Sequence, residues 1–189
     1  MGTVQLVRYD QAAPGDVAFD RARSAYGRLV ELTTRDEIAH CFVYHRRLGA
    51  TADGRPRWLI AEMSARHGAV LTERVEPPAA IVRAWRVGAE RDRLLQFSRE
   101  VVAGSTAYDW SEIGRILVAL ASGRVIARRQ TDRSICVAHA MQAILAARPD
   151  LGPYLPGPDE VVWPGRLLEV LADRAVVPAA PTITAALAA

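Results

Sequence analysis

Hydrophobic and polar positions follow two different rhythms along this chain. Up to residue 87 the short period dominates. Val17-Ala18-Phe19 follows the turn signal Pro14-Gly15-Asp16 and predicts a short strand. Residues 38–44, rich in β-branched and aromatic side chains, predict a second, and residues 58–63, 69–75 and 81–87 predict three more. Asp53-Gly54 marks a hairpin turn, His67-Gly68 another turn, and Pro77-Pro78 a break. One stretch departs from this rhythm: Ala22, Ala25, Tyr26, Leu29 and Val30 recur at helical spacing and predict a helix over residues 20–33.

Beyond residue 88 the period lengthens. Residues 89–102 place Leu94, Leu95, Phe97 and Val101 on one side of an amphipathic helix. Residues 111–120, 134–147 and 163–171 predict three further helices, the last entered through Pro164, which suits a first helical turn. Strands first and helices afterwards predict an α+β domain, with a mainly antiparallel sheet packed against helices. The 189 residues suit one domain, placed at residues 1–175, with an Ala/Pro-rich tail over 176–189.

Composition narrows the function classes. Half the residues are hydrophobic and 24% are charged, the balance of a folded globular chain. The net charge is +3, and every basic residue apart from histidine is arginine. Arginine and acidic residues are interspersed, as in Arg91-Asp92-Arg93, so nucleic acid is not the expected partner. The first ten residues carry Arg8 and Asp10 and no long apolar run, which predicts no signal peptide and hence a cytoplasmic location, with phage-associated or other export as the alternative. No stretch of about 18 apolar residues predicts a membrane span. Two cysteines, Cys41 and Cys136, are too few for a disulfide scaffold, and no Cys/His spacing suggests zinc. No metal or other cofactor is expected, and the oligomeric state is left open.

The candidate chemistry is that of a thiol. Cys136 precedes a strongly helical segment, with Asp132 or Ser134 as candidate caps, so it falls in a first helical turn. Unpaired N–H groups there favour a thiolate and can hold an oxyanion. The competing reading is a small buried hydrophobe. The base must come from His40, His45, His67 or His139. His40 lies on a predicted strand, where alternation puts it on one face with Phe42 and Tyr44, and Cys41 on the other with Val43 and His45. Glu62 sits inside the apolar strand that should pair with it, and a carboxylate there calls for a partner. Cys41, in a strand interior, ranks below Cys136 as nucleophile. His139, three residues after Cys136, is a pKa modulator, an alternative base, or a packed or solvated residue. His67 is expected in a turn and His45 in solvent.

These pieces, in this order, resemble the circularly permuted branch of the NlpC-like papain superfamily, in which the histidine strand precedes the cysteine helix. The resemblance rests on Pro14-Gly15-Asp16-Val17-Ala18-Phe19, Ile38-Ala39-His40-Cys41-Phe42-Val43-Tyr44, Leu59-Ile60-Ala61-Glu62-Met63 with Gly68-Ala69-Val70, Tyr108-Asp109-Trp110, Arg133-Ser134-Ile135-Cys136 and Val161-Val162-Trp163-Pro164-Gly165-Arg166-Leu167-Leu168. It covers residues from 14 to about 170. It implies a papain-like fold with Cys136 as nucleophile, His40 as base, Glu62 as the third catalytic residue and Tyr108 as oxyanion donor. It implies a cysteine hydrolase that cleaves an amide, ester or thioester, with a peptide, a peptidoglycan fragment or an acyl-bearing molecule as substrate. Val137-Ala138 stand where the family has Ser-Glu, and His139 where it has an apolar residue. A catalytically degenerate binding or assembly module on the same fold is the alternative.

Overall fold

The described residues hold six strands: β1 (Gln5–Leu6), which the sequence pattern did not predict, and, from the short-period segments, β2 (Val17–Arg21), β3 (Ile38–Ala50), β4 (Pro56–Ser64), β5 (Gly68–Arg74) and β6 (Ala80–Arg83). They make one sheet in the order β1-β6-β2-β3-β4-β5, and every neighbouring pair is antiparallel. The long-period segments form α1 (Ala25–Thr34), α2 (Gly88–Ala103), α3 (Trp110–Ser122), α4 (Cys136–Ala147) and α5 (Pro164–Ala172). The architecture is α+β. The structure, a computed structural model, describes residues 4–23, 25–122, 134–157 and 160–173. No helix among the described residues is long and apolar enough to cross a membrane.

Alternation along the strands divides the sheet into two apolar faces. Val17, Phe19, Cys41, Val43, Ala61, Met63 and Val82 belong to a core that also takes in Leu94 of α2, Ile144 of α4 and Leu167 of α5. The opposite face carries Ala18, Phe42, Tyr44, Trp58, Ile60 and Ile81, covered by Val7, Tyr9 and Ala12 of the N-terminal segment. Rings stack down that face from His40 to Phe42 (6.1 Å), Tyr44 (5.6 Å) and Trp58 (4.6 Å).

Two ion pairs, each with one fully buried member, hold the sheet to its surroundings. Asp16, fully buried after the Pro14-Gly15 turn, accepts two hydrogen bonds from the Arg83 guanidinium, each 2.8 Å, and one from the Ala13 amide. Arg148, fully buried just beyond α4, donates to the Ala84 carbonyl at 2.8 Å and to both oxygens of Asp150.

Several elements differ from their sequence expectation. The helix expected over 20–33 starts later, because Asp20 and Arg21 still pair with His40 and Ile38 across β2–β3. Strand β3 runs on to Ala50 through two register shifts, and β6 stops at Arg83. His45, expected in solvent, is partly buried within β3, and its ring nitrogens have no partner among the described residues. Burial pulls its pKa down. Asp132 and the tail over 176–189 lie outside the described residues.

Candidate active site

Three elements converge at one end of the sheet. The β3–β4 ladder begins at Val43↔Ala61, so the first residues of β3 have no β4 partner opposite them. His40 lies in that unladdered stretch, and its Nε2 meets Glu62 Oε2 of β4 at 2.8 Å. Glu62 Oε1 accepts a hydrogen bond from the Thr72 hydroxyl of β5 at 2.6 Å. The carboxylate that looked costly inside an apolar strand is thus bonded on both oxygens, and its pKa is lowered: burial opposes this, but His40 and Thr72 outweigh it.

Cys136 is the first residue of α4. Ile135 is the N-cap and supplies no side-chain hydrogen bond. Ser134, expected as a cap, instead aims its hydroxyl at the Ile135 carbonyl, 3.3 Å away. The first amides of α4 therefore receive no capping side chain, and the partial positive charge of the helix start falls on the sulfur. Residues 107–109 run beside Ser134: the Asp109 amide bonds to the Ser134 carbonyl (2.9 Å) and the Ser134 amide to the Ala107 carbonyl (3.0 Å). This short parallel bridge brings Tyr108 next to Cys136, and both line one cavity of about 340 Å³ with His40 and Glu62.

Two neighbours, Cys41 and the His40 ring, shape the ionisation of the sulfur. With Nε2 held by Glu62, Nδ1 is the ring nitrogen left to face the sulfur. The Cys41 hydrogen bond, then the His40 bond and charge, hold the Cys136 pKa well below the ordinary thiol value against the effect of burial. Burial would depress His40, but Cys136 and Glu62 override it and raise the imidazole to about 10. A thiolate–imidazolium pair is the state these contacts favour. Cys41 itself is pushed up, by burial and by the neighbouring sulfur.

All four residues singled out in the sequence, Cys136, His40, Glu62 and Tyr108, therefore meet at one cavity. Sequence reasoning missed Cys41 as their neighbour. Alternation separates Cys41 from His40, yet the face it points to is the one α4 covers. His139 is only 2% exposed, lies 6.0 Å from the Phe97 ring and has no partner on either nitrogen among the described residues. Burial drops its pKa to about 4, so it packs as a neutral ring. His67 precedes β5 in an exposed turn, as expected.

The chain matched no protein-family model, and it has no significant match among curated proteins.

Proposed function

We propose that the chain is a papain-like thiol hydrolase of the permuted NlpC type, which cleaves an amide, ester or thioester through an acyl-thiol intermediate. The observation that carries this reading is the convergence on one cavity of Cys136, at a helix start without a side-chain cap, and an imidazole that Glu62 holds at 2.8 Å.

On this reading the reaction runs in two halves. The Cys136 thiolate attacks the substrate carbonyl, and the carbonyl oxygen gains negative charge. The first amides of α4 would donate to it, and so would the Tyr108 hydroxyl, the role the resemblance implies. The tetrahedral intermediate collapses when the His40 imidazolium gives its proton to the leaving group. The acyl group now sits on sulfur and His40 is neutral. His40 then takes a proton from water as that water attacks the thioester, and the acid is released. Glu62 keeps the ring in the orientation and tautomer both halves require. The substrates this reading allows are those the family resemblance implies, a peptidoglycan peptide or another acyl-bearing molecule.

Intact-mass analysis after exposure to an activated ester such as p-nitrophenyl acetate tests it. The expected result is one acyl adduct, mapped to Cys136 and absent from Cys136→Ala. Turnover retained in Cys136→Ala would sink the assignment. No adduct, together with a thiol that titrates near the ordinary value of about 8.5, would favour the binding or assembly module instead.

A further inference from the structure

Two different spaces meet at Cys136. One is the cavity of about 340 Å³ already described, within the usual size of a small-molecule site. Arg21, Arg23, Arg66 and Arg74 line it, against two carboxylates, Asp20 and Glu62. Both acids are committed. Asp20 Oδ2 accepts from Arg23 Nε at 3.0 Å and also from Arg74, while Glu62 is held by His40 and Thr72. Arg74 is nearly buried and lies 4.6 Å over the Phe42 ring, so its position is fixed. Arg66 is exposed, and no carboxylate among the described residues bonds to it. The acids that answer Arg21 and Arg23, Glu37 and Glu76, are more than half exposed to water. The wall is therefore rich in guanidinium whose partners are shared, solvent-screened or missing.

The second space is a slot of about 30 Å³ lined by Val30, Ile113, Ile116, Leu117, Val162 and Trp163. It shares Ala39, Tyr108 and Cys136 with the first cavity, but not His40. At about 30 Å³ the slot is roughly a tenth the size of the first cavity and is lined by apolar side chains, room for a few small groups. That is a short aliphatic chain, and a long fatty chain does not fit.

The position of His40 assigns the two spaces. It must reach the leaving group to protonate it, and it lines only the arginine-rich cavity. The acyl part remains on sulfur and faces the other way.

The geometry points to a substrate with a short aliphatic acyl part, held in the slot, and an anionic leaving part, a carboxylate or phosphate bearer, held by Arg66 and Arg74. This inference rests on the thiol-hydrolase reading and specifies its substrate. Arg66 is the adaptable contact; Arg74, fixed on Phe42 and Asp20, is the rigid one.

A matched thioester panel tests it. Propionyl, isobutyryl and octanoyl thioesters of 3-mercaptopropionate (anionic), 2-mercaptoethanol (neutral) and thiocholine (cationic) are compared by rate of thiol release. At low salt, kcat/KM is expected to be at least tenfold higher for the anionic than for the cationic leaving thiol, and tenfold higher for propionyl or isobutyryl than for octanoyl. Arg66→Ala and high salt should each shrink the charge preference, since exposed charges are screened. Ile116→Ala, checked for folding by circular dichroism, should move the acyl optimum towards longer chains. Turnover with no charge preference, or with octanoyl as the best acyl group, overturns the inference and leaves the hydrolase reading standing. If no thioester acylates Cys136, the hydrolase reading fails and both subsites fall with it.

Discussion

At the scale of single residues, the site turns on one sulfur and its neighbours Cys41 and His40. Because Cys136 is held below the ordinary thiol range, its iodoacetamide alkylation, followed by peptide mapping, should fall less between pH 8 and pH 6 than that of an ordinary thiol. A free thiol would slow about tenfold for each unit below its own pKa. Cys41→Ala removes the largest influence that lowers the Cys136 pKa, so that pKa should rise and the rate should fall more at pH 6 than at pH 9. His40 carries the other limb. Its proton is held to about pH 10, so hydrolysis should persist on the alkaline side until that proton leaves. Glu62→Gln withdraws a negative charge from the ring and lowers its pKa, which should shift the alkaline limb of kcat/KM to lower pH. Loss of orientation in the same variant should cost roughly 10²-fold or more in rate, the range of positioned acid–base catalysis. An unmoved alkaline limb would show that His40 is not the titrating group. Cys136, His40 and Glu62 were legible in the sequence because each carries a local signal: a helix start, a strand position and a charge in an apolar run. Cys41 was not, since its partner lies 95 residues away in the chain, and strand alternation says which face a side chain takes but not which helix covers it.

At the scale of elements, the question is what keeps Tyr108 beside the thiol. The β4–β5 hairpin turns at Gly68 with φ +71°, and the next amide, Ala69, bonds to the Thr106 carbonyl at 2.9 Å. A Cβ on Gly68 would come within 2.4 Å of that same oxygen. Gly68→Ala should therefore add roughly 1–3 kcal/mol of backbone strain and also push the 106–108 segment away from α4. The expected signature is a lower melting temperature together with a loss of kcat greater than the change in KM, since the proposed role of Tyr108 is on the developing oxyanion. A kcat unchanged at a temperature where the variant is fully folded would mean that Tyr108 does not depend on the hairpin. At the other side of the site, Asp36 bonds to the Trp163 indole and to the Ile38 amide, and a Cβ on Gly165 would overlap its carboxylate. This tie fastens the start of α5 to the entry of β3, two residues before Ile38 leads to His40. Apart from the two-residue β1, the strands and helices themselves were readable from period alone. Their ends were not: Asp20 and Arg21 belong to β2 only because His40 and Ile38 are there to pair with, and β3 outlasts its apolar run because β4 continues alongside it.

At the scale of the molecule, the strongest departure from a sequence-level picture is a fully buried arginine. Arg148 follows α4, and nothing in its polar neighbourhood of Arg148-Pro149-Asp150 marks it as interior. It joins three elements. Its Nη1 satisfies the buried Ala84 carbonyl at the end of β6, and Nε and Nη2 clasp Asp150 at 2.7 and 2.8 Å. Its Nε also lies 4.0 Å from Glu90 in α2. Arg148→Met keeps the apolar stem and removes the charge. The Ala84 carbonyl is then buried without this partner, at a cost of about 1–3 kcal/mol, whereas Asp150, nearly half exposed, regains water. The net loss should be about 2–3 kcal/mol, or roughly 4–12 °C in melting temperature for a chain of this size. The effect should depend on acid in a defined direction. Arg148 holds Asp150 down to about 2, below the unfolded value near 3.9. The ion-pair contribution is therefore complete above about pH 4 and is lost as pH falls through 2. Thermal melts of wild type and Arg148→Met should converge over that interval, to the extent that they refold. A gap that stays constant from pH 6 to pH 2 would assign the whole effect to the Ala84 carbonyl and none to the ion pair. Arg148 lies at the opposite end of α4 from the thiol, so Cys136 in the variant should still alkylate at pH 6 as fast as wild type.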